Sequence, residues 1–325
     1  MENKFKNISK VIYSYLKKDE LLTLSFTGEE SQFIRLNNAK IRQTGLVNDA
    51  DILMKMIANG RSCTGSFTLS GNDDIDTRRA GLEIERMRLE STQILKDPYL
   101  IIPKGSGSSR EIKNFNGLNF KDAVDAILPV IQGVDFVGIL SNGKMYRGNS
   151  NSLGQEHWFE TESFSLDYSL VAANHQMVKG TFAGTDWDQN EYEHYLKQSK
   201  KKLELMELSP VKLKTGNYKT WFEPAAVSDF LSMFSWNGIS EASIQQGCSG
   251  FGKMRNDNVR LSSKFSISED FSSGLVPKFN SDGEVSADEL RIISSGELKN
   301  TLVSSRTANE YDRTSNFAES GEYLR

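Results

Sequence analysis

Apolar residues recur at helical spacing in the first 16 residues and then at a period near two as far as residue 69. Phe5, Ile8 and Ile12 have lysines between them, which predicts an amphipathic helix with one side against a core. The alternation that follows predicts strands at residues 22–26, 33–36, 39–43, 52–57 and 63–69, separated by Gly45, Asn59-Gly60 and Gly71-Asn72. We therefore expect a helix followed by a meander of antiparallel strands.

The next stretch of the chain, to residue 206, mixes helical and strand patterns. Asn72 is expected to cap a helix that runs to about residue 94, and a second helical stripe covers residues 120–131. Residues 98–119, with Pro103, predict a surface loop, and Asn142-Gly143 predicts the turn of a hairpin over residues 134–149. Strands are expected at residues 158–159, 164–172 and 178–186, before a helix that ends at residue 206.

The pattern restarts after Ser209-Pro210, which predicts two domains, residues 1–208 and residues 209–325. In the second domain we expect a short strand at residues 218–222, a helix that begins at Pro224, and a strand over residues 259–267. A hairpin is expected from residues 290–293 and 298–304, preceded by a turn at Asp282-Gly283-Glu284. The expected fold class is α+β, an N-terminal antiparallel β-meander with helices followed by a β-rich C-terminal domain.

Composition and charge exclude several classes of protein. With 38% hydrophobic and 25% charged residues, the chain is typical of a folded globular protein rather than a disordered one. A net charge of -4 gives no basic surface for nucleic acid, and the absence of a long apolar run indicates no membrane partner. Two cysteines are too few for a disulfide scaffold, so a cytoplasmic location is expected.

Few residues suggest chemistry when they are considered one at a time. The Gly/Ser run at residues 105–109 lacks the Lys-Ser or Lys-Thr pair of a phosphate-binding loop, so a surface loop is favoured. Cys248, between glycines, is a candidate nucleophile, but a buried structural thiol is the more common case. His157, beside Glu156 and Glu160, is a candidate metal ligand or acid–base residue, although a structural histidine is favoured.

Helical spacing also predicts that the helix after Pro224 buries one apolar side. The residues expected on that buried side are Val227, Phe230, Leu231 and Phe234. A wider aromatic group is expected to form core, with the alternative that part of it lines a groove for an extended peptide; it comprises Trp221, Phe222, Phe230, Phe234 and Trp236.

Three segments together resemble the TldD/PmbA family of metallopeptidase-related proteins. The first is the strand-rich run at residues 35–68, and the second is the strand-to-helix passage at residues 221–227. The third is similar to the family passage D-x-G…G…L-x-x-R-T-A, which is matched here by Asp282, Gly283, Gly296, Leu302, Arg306, Thr307 and Ala308. The order of the segments, rather than any one of them, carries the resemblance, which covers most of the chain.

The resemblance implies a helix with the motif H-E-x-x-x-H, whose histidines bind zinc and whose glutamate acts as general base. The corresponding residues here, 224–237, contain no histidine, and His157, His175 and His194 begin no such motif. Asp229 and Glu223 are poor substitutes for two imidazoles. No catalytic residue, metal ligand or cofactor is therefore assigned to this chain, and its peptide-binding residues are not assigned.

The missing motif makes the chain similar to the PmbA/TldE type, the subunit without zinc. The resemblance then implies a dimer or heteromer in which a TldD-like homologue carries HExxxH and zinc, with unfolded peptide as substrate. It also implies a longer C-terminus than the one present, so the C-terminal domain is expected to be truncated. Two alternatives stay open, a self-contained metallopeptidase with unrecognised ligands and a peptide-binding interaction module without hydrolytic activity.

Overall fold

A seven-stranded sheet with helices on one face forms the N-terminal half, and a smaller three-stranded sheet lies in the C-terminal half. The computed structural model describes residues 1–105, 107–118, 120–236 and 238–318, so predictions that involve Ser106, Asn119, Asn237 or residues 319–325 lie outside it at those positions. The first-half elements are α1 (Glu2–Ser14), β1 (Glu20–Asn37), β2 (Lys40–Ala58), β3 (Arg61–Thr68), α2 (Asp73–Ser91), β4 (Ser108–Ile112), α3 (Phe120–Ile131), β5 (Asp135–Asn151), β6 (Glu156–Val171), β7 (Met177–Gly184) and α4 (Gln189–Met206). The others are α5 (Pro224–Ser235), α6 (Glu241–Gln245), α7 (Gly252–Asn256), β8 (Ile267–Asp270), β9 (Glu289–Ser294), β10 (Glu297–Leu298) and α8 (Ser305–Tyr311).

The large sheet has the strand order β3-β2-β1-β5-β6-β4, and β7 also pairs with β6. Every pair is antiparallel except β4 with β6. The small sheet has the order β10-β9-β8. These described elements confirm the α+β class, with an antiparallel meander first and a β-containing C-terminal part after it.

One face of the large sheet carries the core. Successive strand residues point to opposite faces, and on β1 the buried residues Leu22, Leu24, Phe26, Ile34 and Leu36 all share one face. The first three pack with α1 and α2, and the last two pack with α3 and α4. The opposite face is left for polar residues, and the C-terminal half contacts it there.

Four of the predicted strands belong to two long strands, so the predicted breaks within these long strands are wrong. Residues 22–26 and 33–36 belong to β1, and residues 39–43 and 52–57 belong to β2. Gly45 does not end a strand, because it lies in register opposite Phe33 and an added Cβ would be 2.4 Å from the Phe33 ring. The glycine makes room for a cross-strand aromatic ring instead of a turn.

The hairpin predicted at Asn142-Gly143 is wrong. Strand β5 runs through both residues, and Gly143 pairs with Ser31 of β1. The Asn142 amide is buried and bonds to the Leu118 carbonyl and to Gln32, so it stabilises strand packing instead of a turn. A cross-strand partner for every residue outweighs the local turn preference.

The remaining differences are shifts in strand length and position. Residues 158–159 and 164–172 were expected as two strands but lie almost entirely in β6, and the predicted loop over residues 98–119 contains β4. No strand forms at residues 218–222; the strand expected at 259–267 begins only at Ile267. The second hairpin strand is only two residues long, and Gly296, in the turn before it, has positive φ.

Candidate functional site

Helix α5 occupies the position at which the family resemblance places the zinc motif, and it offers no metal ligands of that kind. Its carboxylate Asp229 is exposed, and Glu223, just before the helix, forms an ion pair with Lys202 of α4. Among the described residues, no group of three His, Cys, Asp or Glu side chains is close enough to hold a metal ion. The residues present on this helix do not fit a zinc ion.

The apolar side of α5 is exposed, which corrects the prediction that it is buried. We use the name α5 surface for Trp221, Phe222, Val227, Phe230, Met233 and Trp236. Trp221 and Trp236 are 87% and 83% exposed, respectively. Of the residues expected to be buried, only Leu231 and Phe234 pack against the C-terminal core, and both are half-buried. Most of the aromatic group that was expected to form core is therefore presented to solvent.

The exposed region extends to the segment before α5. Residues 204–225 are exposed without interruption, and Val211, Leu213 and Tyr218 add to the apolar surface. Apolar patches of this extent are uncommon on the free surface of a soluble monomer and usually mark interaction sites.

The turn at Asp282-Gly283-Glu284 attaches the C-terminal half to the polar face of the large sheet. Asn280 shapes the turn, because its side-chain oxygen accepts hydrogen bonds from the backbone N–H groups of Asp282 and Glu284 at 3.0 Å each. The Lys55 ammonium lies 2.6 Å from the Asp282 carboxylate. The motif aspartate is therefore half of an ion pair between the two halves of the chain.

Backbone oxygens of the same turn accept hydrogen bonds from the sheet. Asn149 donates to the Ser281 carbonyl at 2.7 Å, and Gln155 donates to the Gly283 carbonyl at 2.9 Å. Gly283 has φ +76°, and an added Cβ would be 2.5 Å from the Gln155 side-chain oxygen. We call this set of contacts, together with the Lys55–Asp282 pair, the polar seam. The motif glycine is required by its close approach to the sheet.

The Arg-Thr-Ala part of the motif is also structural. Arg306 forms ion pairs with Asp97 at 3.2 Å and Glu310 at 2.6 Å, and its guanidinium carbon lies 5.7 Å from the Tyr99 ring centre. Thr307 donates its backbone N–H to Ser304, the N-cap of α8, and Ala308 is buried. Arg306 thus provides a second contact between the two halves, in addition to the polar seam.

A small cavity of about 220 Å³ lies beside the polar seam. Its walls include Lys104, Gln155, Glu284 and Phe317 together with the apolar loop residues Ile101, Ile102 and Pro103. Its size is below the range of most small-molecule sites.

His157 is a buried residue of β6, on the face of the large sheet that carries the polar seam. Its Nδ1 lies 2.8 Å from the Ser109 hydroxyl, its ring stacks on Phe279 at 5.2 Å, and its Nε2 has no hydrogen bond of normal geometry in the described chain. Burial lowers the pKa of His157, and the neighbouring Gly283 backbone acts in the opposite direction. Because alternate strand residues point to opposite faces, the structure does not bring Glu156 and Glu160 to this imidazole.

The other candidate residues each contact different partners. Glu156 pairs with Lys6, and Glu160 pairs with Lys144. Cys248 is exposed rather than buried, and its thiol contacts the Gln246 carbonyl at 3.7 Å. His175 and His194 are exposed, and His194 contacts Gln198. In the described chain no histidine is found as a hydrogen-bond partner of Cys248.

Comparison with known proteins gives a family match and a fold match. Residues 215–323 match the model of the PmbA/TldA metallopeptidase C-terminal domain. TldE from Thermococcus kodakarensis superposes with a TM-score of 0.68 at 12% identity, over 96% of this chain and 72% of its own. No curated protein sequence matches this chain.

Two further solved structures share the fold, and both are named for a proposed role as a modulator of DNA gyrase. The protein from Thermotoga maritima has a TM-score of 0.75 at 16% identity, over 96% of this chain and 74% of its own. The protein from Bacteroides thetaiotaomicron has a TM-score of 0.74 at 15% identity, over 99% of this chain and 76% of its own.

Residues 215–323 thus match a metallopeptidase-related domain, and the three solved structures share the fold of almost the whole chain. The resemblance to the TldD/PmbA family predicted from the sequence is confirmed by these two findings. No described helix is long and apolar enough to cross a membrane.

Proposed function

We propose that this chain is the non-catalytic, TldE-like subunit of a two-subunit peptidase system. In this proposal it holds an unfolded peptide while a homologous subunit that carries HExxxH and zinc cuts it. The absence of histidine from residues 224–237 supports a role without its own metal. The proposed compartment is the cytoplasm, where its two free cysteines would stay reduced.

The observation that carries the proposal is the exposure of the α5 surface. At about 150–250 Å² per aromatic side chain, its six residues present on the order of 700 Å² of mostly apolar area. A standard protein interface covers about 800 Å² on each partner, so this surface is the right size for one. Tryptophan and methionine are also enriched at such interfaces. The proposed occupants are the zinc-bearing homologue and its peptide.

The test is cleavage of an unfolded model peptide by three samples, this chain alone, an HExxxH homologue from the same source, and the mixture, each with and without a zinc chelator. We expect chelator-sensitive cleavage that is strongest in the mixture. Chelator-sensitive cleavage by this chain alone would show that it is a self-contained metallopeptidase. Peptide binding with no cleavage in any sample would favour an interaction module.

Variants of the α5 surface separate binding from folding. Trp221→Ser combined with Trp236→Ser should reduce complex formation at least about tenfold, since buried tryptophans are common hot spots. The unfolding midpoint should stay unchanged, because both side chains are exposed in the free chain. Leu82→Ser, on the exposed side of α2, is the matched control and should change neither complex formation nor the unfolding midpoint. Unchanged association of the double variant would contradict the proposed role of the surface.

A further inference from the structure

A second cavity, with polar walls, lies in the C-terminal half, away from the residues of the α5 surface. Its volume is about 490 Å³, and it is lined by α6, α7, β10 and the segments that follow β10 and α8. This volume is within the usual range for small-molecule sites. Its polar lining includes Glu241, Arg255, Lys299, Thr301, Arg313 and Asn316.

Positive charge exceeds negative charge on the wall of this cavity. Three lining side chains are cationic, Arg255, Lys299 and Arg313, whereas Glu241 is the one carboxylate among the lining residues, which gives 3 − 1 = +2. Lys299 also pairs with Glu297, which is outside the lining. The two arginines alone still exceed the charge of Glu241.

Glu241 holds Arg255 in a fixed orientation. The Glu241 side chain is 3% exposed, and its two oxygens accept hydrogen bonds from Nη1 and Nη2 of Arg255 at 2.8 and 2.5 Å. Gln245 and Thr301 donate to the same carboxylate. A buried carboxylate with this many donors is fully satisfied, and the Nε edge of Arg255 is not used in the contact.

Arg313 is not needed to satisfy Glu241. Its Nε is 3.4 Å from the nearer Glu241 oxygen, beyond the normal range for an N–H···O hydrogen bond. In the described part of the chain no hydrogen bond from its guanidinium group is found, and the side chain is 51% exposed. A buried ion pair would be complete with Arg255 alone, so the second guanidinium is surplus positive charge at the cavity wall.

We infer that this cavity binds an oxyanion, a carboxylate or phosphate group of a small ligand, through the guanidinium groups of Arg313 and Arg255. Guanidinium groups present paired N–H donors whose spacing matches the oxygens of both anions. Glu241 acts as a positioning residue that fixes Arg255. The site is independent of the proposed peptidase role and of any zinc.

The experiment is calorimetric titration of the full chain with citrate and, separately, with inorganic phosphate at low ionic strength. At least one probe should bind, and Arg313→Gln should weaken its binding about tenfold or more, the loss expected for a charged hydrogen bond. Arg313→Lys keeps the positive charge but lacks the paired N–H donors of a guanidinium group, so its loss of affinity should be intermediate. Arg260→Gln is the control, since Arg260 pairs with Glu297 outside the cavity lining. Preference for citrate or for phosphate identifies the favoured oxyanion.

Three results would overturn the inference. The first is the absence of binding by the wild-type chain to either probe at millimolar concentration. The second is equal affinity of wild type and Arg313→Gln, with the unfolding midpoint of the variant confirming that it is folded. Equal losses in Arg313→Gln and Arg260→Gln would also overturn it, because the effect would then be one of net charge.

Discussion

Gly283 shows how a single residue connects the two halves of the molecule. It combines positive φ with close approach to two side chains of the β5–β6 hairpin, Gln155 at 2.5 Å and Asn149 at 2.6 Å from an added Cβ. Any larger residue must displace the turn from the sheet or strain its own backbone. The glycine in the family passage is thus explained by packing at the polar seam.

Gly283→Ala should lower the free energy of unfolding by about 2 kcal/mol or more, since strain and steric overlap add. Urea unfolding at neutral pH measures this change. Gly252→Ala is the control, because Gly252 has open space around its Cβ position and no positive φ. A loss of equal size in both variants would mean that the close approach at the seam is not the cause.

Glu241 should make the stability depend on pH in the acid range. Its hydrogen bonds to Arg255 lower the pKa of Glu241 from 4.5 to about 2, with Thr301 and Gln245 acting in the same direction against burial. Because the folded-state pKa is the lower one, the stabilisation is complete above about pH 4.5 and is lost as the pH falls toward 2. The full difference is about 3 kcal/mol, of which about 2 should be lost by pH 3.

Comparison of wild type with Glu241→Gln at pH 6 and pH 3 by urea unfolding isolates this contribution. Wild type should be the more stable at pH 6, and its advantage should shrink by about 2 kcal/mol at pH 3. Glu204→Gln, on an exposed position of α4, controls for loss of a charge. An advantage that does not change with pH would contradict the lowered pKa.

Asp229 and Glu223 should have no part in zinc binding. Alanine at either position should leave the cleavage rate and zinc content of a complex with the HExxxH homologue within about twofold, because the expected change in free energy at exposed sites is small. Zinc content by atomic absorption is the direct measurement. Loss of zinc on either substitution would show that this helix does supply ligands.

At the scale of the element, α5 shows what helical periodicity can and cannot predict. Spacing correctly predicted the helix from Pro224, but the prediction of one buried apolar side was wrong for Val227 and Phe230. It could not predict what covers them, because an apolar stripe has the same spacing whether it faces the chain's own core or a partner. Only the fold shows that Phe230 faces solvent while Phe234 contacts Phe251 and Phe265.

The two phenylalanines provide a matched pair on one helix. Phe234→Ala should destabilise the chain by about 1–3 kcal/mol, as expected for a partly buried ring with two aromatic neighbours. Phe230→Ala should cost less than about 1 kcal/mol, because the Phe230 ring is 48% exposed. Thermal unfolding of both variants measures the difference. Similar losses would mean that the α5 surface is packed inside the free chain.

The sequence predicted where strands occur better than it predicted where each strand begins and ends. Glycine and asparagine are turn residues by local preference, and that preference decided the wrong prediction at Asn142-Gly143. The outcome depended on pairing with β1, more than 100 residues earlier in the chain. Asn59-Gly60 does form a turn, because β2 and β3 are consecutive and pair locally.

At the scale of the whole molecule, the two halves are joined by polar contacts and by one exposed segment. The absence of histidine from residues 224–237 could be read directly from the sequence. The polar seam could not be predicted in this way, because it joins Lys55 to Asp282 and Asn149 to Ser281 across long separations. Local patterns contain no information about which surfaces meet.

The domain boundary predicted between residues 208 and 209 can be tested by limited trypsin digestion. The first cuts should fall at Lys212, Lys214 or Lys219, which lie in the exposed segment before α5. The two fragments should then elute together in gel filtration, because the polar seam and the Arg306–Asp97 pair still hold them. Early cuts elsewhere, or separate elution, would contradict the boundary or the strength of the seam.

The strand order of the large sheet has a consequence for how the chain folds. Strands β1, β2 and β3 are consecutive and need only two short turns, so their pairing closes small loops and costs little entropy. Pairing of β1 with β5 must instead close a loop of more than 100 residues. We therefore expect the long hairpin of β1 and β2 to form early, with one hydrogen-bonding edge of β1 unpaired until β5 is added to the sheet. During synthesis, we expect that edge to be open to pairing with other strands.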